Sequence, residues 1–570
     1  MKYLISFLFL VSFLVSSGQP KPALPDDVVK NIEKRIAEGI HPSVVIGIVD
    51  KNGPRYYNFG LKSKGGSKAD EHTIYEIGSI TKVFTAILLA QQVLEGNMKL
   101  DDPIKKYLPA DVKVPTRGDK EITLGNLSDH TSGLPRMPTN FTPANSANPY
   151  VDYTVEQMYA FLSGYELTRD IGSAYEYSNL AQGLLGHILA LKANVPYETV
   201  MLKNIAAPLG MRETRITFDE KMKKNLAIGH DNGDQVSNWD LPTLAGAGGI
   251  RSSTSDMLKF LQANMGLIKT SLQPAIALTQ QVRHDKAGGN RVGLGWHIAK
   301  NKHGDIITHS GGTGGYRTFA GFIKETGVGV VVMTNSTEGV DDIGLHLLDS
   351  ELPLRNIKPA ITAILKNAIS TKGTDAAIAE LNELKKTKGE EYDFSEDAIN
   401  TLGYTYMDKN VKAALGIFKL NVEWYPNSSN VYDSYGEALL KDGQTELAIE
   451  NYKKSVQLNP GNTGGIKALE KLGVKVDAPQ AFEVKPEVLE KYVGTYELVP
   501  GFNIVITREG NHLFEQATGQ GKFEIYASNE KEFYMKVVNA QILFNVNDQG
   551  VTESMTLVQN GQRVPGKKIK

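Results

Sequence analysis

The chain is predicted to be α+β: an antiparallel sheet flanked by helices with an all-helical lobe, then a short α-helical repeat array and a small all-β domain. Three observations predict this. Strand-like runs open and close residues 25 to 350, with helical spacing between them. A 34-residue periodicity follows. Short alternating runs with turn signals about every ten residues finish the chain.

A length of 570 residues is enough for about three or four domains at roughly 150 residues each. The net charge of −2 argues against a general nucleic-acid binder. With no cysteine, disulfide scaffolds, cysteine-held zinc, iron–sulfur clusters, a thiol nucleophile and a lipoprotein anchor are all excluded. Lys2, the apolar run Leu4–Val15 and the small residues Ser16-Ser17-Gly18 read as a signal peptide over 1–18. The run is too short for the roughly 30 Å of a bilayer core. The protein is therefore expected to be exported to the periplasm or medium, with no integral membrane segment after signal removal.

The first folded unit is expected over 19–352. Val28–Ala37 has helical spacing, Val44–Val49 is a buried-strand run, Lys51-Asn52-Gly53 a turn, and Arg55–Phe59 a returning strand. Helices dominate from Ile80 to Phe260. Strands resume at Gly293–Ala299, Ile306–His309, Thr318–Lys324 and Val328–Asn335. Adjacent first and last strands would close one antiparallel sheet beside the helical lobe.

Residues 353–477 carry the periodicity. Ala414 and Ala448, Phe418 and Tyr452, and Pro426 and Pro460 are each 34 apart. Leu402-Gly403 and Tyr435-Gly436 open the two units. That period, with small, aromatic and Pro positions in order, is the tetratricopeptide pattern. Such repeats present a groove for a protein or peptide partner, or act as a spacer. Residues 478–570 read as a small antiparallel barrel or sandwich. Turns are expected at Arg508–Asn511, Asp548–Gly550 and Asn560-Gly561.

Three motifs carry chemistry. Ser79-Ile80-Thr81-Lys82 opens the apolar helix Val83–Ala90. Ser and Lys three apart share a helix face. The helix start offers unpaired N–H groups to developing negative charge, and a nearby amine can take the hydroxyl proton. Ser528-Asn529-Glu530-Lys531 has the same spacing in a polar turn and is read as a decoy. Tyr177-Ser178-Asn179 precedes the helix Leu180–Leu191. In extended chain its phenol and amide face the same way. His309-Ser310-Gly311-Gly312-Thr313-Gly314-Gly315 ends a strand, where glycines let a substrate backbone lie close.

The order and spacing of these motifs, together with Ser128–Pro135, Gly246–Ile250 and Gly293–Trp296, resemble the β-lactamase-related serine hydrolases over about residues 25 to 350. That family spans DD-peptidases, class C β-lactamases, D-amino-acid peptidases and esterases. The resemblance implies a β-lactamase/transpeptidase-like fold, with Ser79 acylated, Lys82 as proton acceptor and Tyr177 as proton donor. It implies that Asn179 positions the substrate amide, with His309 and Gly311 beside it. The oxyanion would lie between the backbone N–H groups of Ser79 and Gly312. No metal or cofactor is implied. An ordinary lysine is neutral in only about one molecule in 10³ at pH 7, so burial or a cationic neighbour must lower its pKa. His309 departs from the Lys that often begins the third motif, which weakens the case for an efficient β-lactamase.

The expected substrate is a small amide, D-amino-acid peptide or ester. Two alternatives stay open: a genuine class C-like β-lactamase, and a degenerate scaffold recruiting a partner through its repeats. No Gly-x-Ser-x-Gly elbow or His-Glu-x-x-His zinc motif occurs. Arg136 is read as a surface ion pair more readily than a substrate contact, His130 as structural, and Trp296 as core.

Overall fold

The β-branched run Val44-Val45-Ile46 becomes the strand Ser43–Asp50, and its two faces set the layers. Val44 and Ile46 pack with Val28, Ile32 and Ile343, from the helices Asp26–Ala37 and Asp341–Leu348. Val45 packs on the opposite side with Phe84 and Phe260, from Thr81–Leu94 and Thr254–Asn264. The period of two thus feeds two cores, one on each face. The structure is a computed structural model. It describes residues 23–570 except 232, 286–290, 357, 359–360, 476–481, 500–501, 518–521, 536–539, 548, 560–561 and 570. The signal-peptide segment, Asp548 and the Asn560-Gly561 turn lie outside the described residues.

Ser43–Asp50 hairpins with Gly53–Gly60 and pairs on its other edge with Val328–Thr334, antiparallel, Ile46 opposite Val332. The sheet continues through Arg317–Ile323, Gly304–Gly312 and His297–Asn301 to two short strands. Two expectations shift. The strand expected from Gly293 begins at His297, because Gly295 is left-handed (φ +72°) and carries the chain across the backbone of Lys82 and Val83. The strand expected to stop at His309 runs on to Gly312. Its pairing with His297–Asn301 ends at Thr308, so the stretch 309–312 is paired in the sheet only with Arg317–Ile323.

Beyond the sheet, the apolar residues of 124–206 and 244–276 bury a second body of side chains against the helix Thr81–Leu94. That helix is buried all round from Thr81 to Ala90, as its unbroken apolar sequence requires. Helical hairpins follow from Thr362 to Lys471. In them Gly403 lies under the ring of Phe418, and Gly436 under that of Tyr452. The last eight strands close into a barrel, Tyr496 meeting Lys568. The helix Pro486–Tyr492 packs on its core, Tyr492 stacking on Phe544 at 4.2 Å. The Ser528–Lys531 turn lies in this barrel, between Phe523–Ala527 and Glu532–Met535. No described helix is long and apolar enough to cross a membrane.

Candidate active site

Ser79 sits in a single 3₁₀ turn, Gly78–Ile80, that leads directly into Thr81–Leu94. One helical turn on, the Lys82 side chain comes back beside it, with Nζ 2.9 Å from Ser79 Oγ. The same nitrogen donates to Asn179 Oδ1 (2.9 Å) and to the Ala247 carbonyl (2.7 Å). Lys82 is fully buried. Burial, and secondarily the positive charge of Arg136, hold its pKa well below the usual lysine range. Two of its three partners can only accept, while the serine hydroxyl can also donate. A neutral amine, with two N–H donors and one lone pair, satisfies all three.

Tyr177 and Asn179 reach this point because the chain between them is pinned from behind. Ser178 points the other way, its Oγ donating to the Pro135 carbonyl (2.7 Å) and accepting from Ala181 N–H as the cap of Asn179–Ala193. The Ser178 N–H donates to His130 Nδ1 (3.1 Å), and Glu176 N–H to the His130 carbonyl. His130 is buried, left-handed (φ 62°) and stacked on the Tyr177 ring at 4.7 Å. Burial pushes the Tyr177 phenol up to about 12, against the opposing pull of neighbouring Ser79 and of Arg136.

The strand Gly304–Gly312 forms the other wall. A Cβ on Gly311 would meet the Ile77 carbonyl oxygen at 1.9 Å, and one on Gly78 (φ +50°) would meet Gly312 N at 2.6 Å. Glycine at 78 and 311 is what lets the strand and the Gly78–Ile80 turn touch. Thr318 Oγ1 also donates to the Ile77 carbonyl. His309 lies deeper than its neighbours: it is 2% exposed, its Nδ1 2.7 Å from the Ser310 carbonyl. Its ring lies 6.4 Å from Tyr177 and 5.1 Å from His297. The structure therefore brings Ser79, Lys82, Tyr177 and Asn179 together, sets Gly311 and Gly312 against the Gly78–Ile80 turn, and puts the His309 ring 6.4 Å from that of Tyr177.

A family model described as Beta-lactamase matches residues 28–351, more than half of the chain. The chain belongs to the Beta-lactamase family. It is 29% identical over 364 residues to the D-alanyl-D-alanine-carboxypeptidase/endopeptidase AmpH of Escherichia coli K12, covering 58% of this chain and 92% of that protein. It is 28% identical to a beta-lactamase of Pseudomonas fluorescens, over 51% and 87% of the two chains. A solved beta-lactamase/D-alanine carboxypeptidase from Yersinia pestis, complexed with citrate, superposes with a TM-score of 0.51 at 27% identity, covering 57% of this chain and 97% of that one. A second model, a domain of unknown function (DUF3471), matches 478–567, which hold the barrel.

This Beta-lactamase-family serine hydrolase surrounds Ser79 with residues that the motifs alone do not mark. Arg136 is exposed, and its guanidinium lies 5.2 Å from the Tyr177 ring. Tyr150 lies beside Asn179 and packs at 5.4 Å from Trp239, which in turn covers Gly314. Glu76, buried just before the nucleophile turn, pairs with Arg251 and accepts from Trp239 N–H. The only sequence signal for Arg136 is its place after Gly133-Leu134-Pro135. Tyr150 and Trp239 carry none, because contacts across 29 residues (150 to 179) or 75 (239 to 314) leave no local pattern.

Proposed function

We propose that this serine hydrolase is exported and works through an acyl-enzyme on Ser79, hydrolysing a small amide, D-amino-acid peptide or ester. The observation that carries it is the Lys82 amine, fully buried and 2.9 Å from the serine oxygen. Ser79 Oγ attacks the substrate carbonyl as its proton passes to Lys82 Nζ. The oxyanion is received by the backbone N–H groups of Ser79 and Gly312. Tyr177, protonated at neutral pH, hands a proton to the leaving group and is resupplied from Lys82. Water then attacks the acyl-enzyme, activated by the same pair. Asn179, held by Lys82, positions the substrate amide. His309 helps set substrate choice and the pH profile, and His309→Lys is expected to change the pH profile of kcat/KM.

Among substrates, D-alanyl peptides come first, because the E. coli relative carries that activity in its name. A β-lactam is the second, favoured by the name of the P. fluorescens relative. The apolar run Leu4–Val15 supports export. The proposed division is a signal at 1–18, the hydrolase at 19–352, tetratricopeptide-like helices at 353–477 and the barrel at 478–570. The nested fit of Gly403 with Phe418 and of Gly436 with Tyr452 supports the repeat reading.

The test is intact-mass measurement after incubation with a fluorescent penicillin, an activated ester and a D-alanyl dipeptide. An adduct mapped to Ser79, absent in Ser79→Ala, is expected. No adduct with any of the three would overturn the acyl-enzyme, and biological activity surviving in Ser79→Ala would point to a scaffold.

A further inference from the structure

Substrate recognition at this site lacks an obvious permanent cation. Lys82 is buried and held low, and His309 is buried with its ring 6.4 Å from that of Tyr177. The other arginines bordering the site are engaged. Arg169 pairs with Glu176, Arg283 with Asp129, and Arg251 with Glu76 and Asp240. Arg317 donates to the carbonyls of Thr313 and Tyr316. Arg136 differs. Its guanidinium lies over the Tyr177 ring, it is exposed, and among the described residues no carboxylate pairs with it.

Its backbone is nevertheless fixed. The Arg136 carbonyl accepts from the N–H groups of both Asn179 and Leu180, at 3.0 and 3.3 Å. Pro135 before it accepts from Ser178 Oγ. The Arg136 backbone is thus tied to the first turn of the helix that carries Asn179, on the side where the substrate amide is proposed to lie, and the guanidinium lies 5.2 Å from the Tyr177 ring. Tyr150 stands near Arg136 and beside Asn179, its ring 5.4 Å from that of Trp239. A guanidinium over an aromatic ring is suited to a planar carboxylate on an apolar stem.

We infer that Arg136 recognises a carboxylate on the acyl portion of the substrate, so that the enzyme prefers acyl groups bearing a negative charge beyond the scissile carbonyl. The inference rests on the acyl-enzyme reading and deepens it by naming a substrate class.

The test uses two 4-nitrophenyl esters of equal size, of (4-carboxyphenyl)acetylglycine and of its 4-carbamoyl counterpart. A second pair, phenylacetylglycine esters of 3-hydroxybenzoic acid and 3-hydroxybenzamide, moves the charge to the leaving group. The readout is the kcat/KM ratio within each pair, which cancels any difference in active fraction, together with the Ser79 adduct mass. Wild type is expected to favour the acyl-side carboxylate about tenfold or more. Arg136→Gln should bring that ratio near one, and Arg136→Lys should leave part of it, since an ammonium keeps the charge but not the fork. Ser79 acylated with equal ratios in wild type and Arg136→Gln overturns the inference and leaves the acyl-enzyme standing. A ratio lost only in the leaving-group pair overturns it too. No Ser79 adduct with any ester removes both.

Discussion

At the scale of single residues, Lys82 is the proposed proton acceptor, and its environment sets the sign of the expected pH dependence. Its pKa is depressed by burial and then by Arg136. The neutral, proton-accepting form therefore grows as pH rises through a range below that of ordinary lysines. The kcat/KM profile is expected to climb with pH along this limb. Arg136→Gln removes a positive neighbour and should move the limb to higher pH; a limb that stays put would show that the guanidinium does not act on the amine. Tyr177, near 12, stays protonated throughout that range. Tyr177→Phe is expected to lower kcat/KM by about 10²- to 10³-fold, as loss of a general acid does, while Ser79 still labels slowly with an activated ester. The serine–lysine spacing made this pair readable in sequence. The third partner, the Ala247 carbonyl 165 positions away, was not readable, because a backbone acceptor leaves no trace in residue identity.

At the scale of elements, the site depends on one strand touching one helix start. Gly311 has no room for a side chain against Ile77 O, a backbone atom that cannot swing aside. Gly311→Ala is expected to push the strand off the nucleophile turn and lower acylation at least 100-fold. It should also destabilise the domain by about 1–3 kcal/mol, the usual cost of overpacking. Mass-resolved acylation rates and a denaturant melt would read both. Ser178→Ala removes a helix cap and a bond to Pro135 at once, and about 1–2 kcal/mol should be lost. A loss below a few tenths would mean the loop 128–136 does not brace Tyr177 and Asn179. Sequence placed the strands and the main helix because their apolar runs are long. It ended the third-motif strand too early, since glycines read as a turn until a neighbouring backbone is seen to need them.

At the scale of the whole molecule, the barrel is joined to the preceding helices by specific contacts. Gln541 donates to the Leu458 carbonyl, and Tyr534 is buried beside Gly461. The barrel also holds a pH-sensitive element. Glu515 faces inward at 3% exposure, and burial raises its pKa to about 7. Between its ordinary value near 4.5 and that raised value, the folded barrel binds a proton that the unfolded chain has released. Stability therefore falls as pH rises through this window, and the full cost is present above about pH 7. Glu515→Gln should stabilise the barrel at pH 8 by roughly 2–3 kcal/mol and have little effect at pH 4, read by hydrogen exchange of its strands. Equal effects at both pH values would place the carboxyl in water. The sequence by itself determined the fold class, the serine, the lysine and the two further motifs, because hydrophobic period and motif spacing are local properties. Tertiary structure alone decided that Lys82 is buried among acceptors, that the rings of His309 and Tyr177 come together, that Arg136 lies over the Tyr177 ring, and that the last strands close into a barrel. Each of these depends on which distant segments share a dry space, and burial is set by the packed chain rather than by the neighbours in sequence.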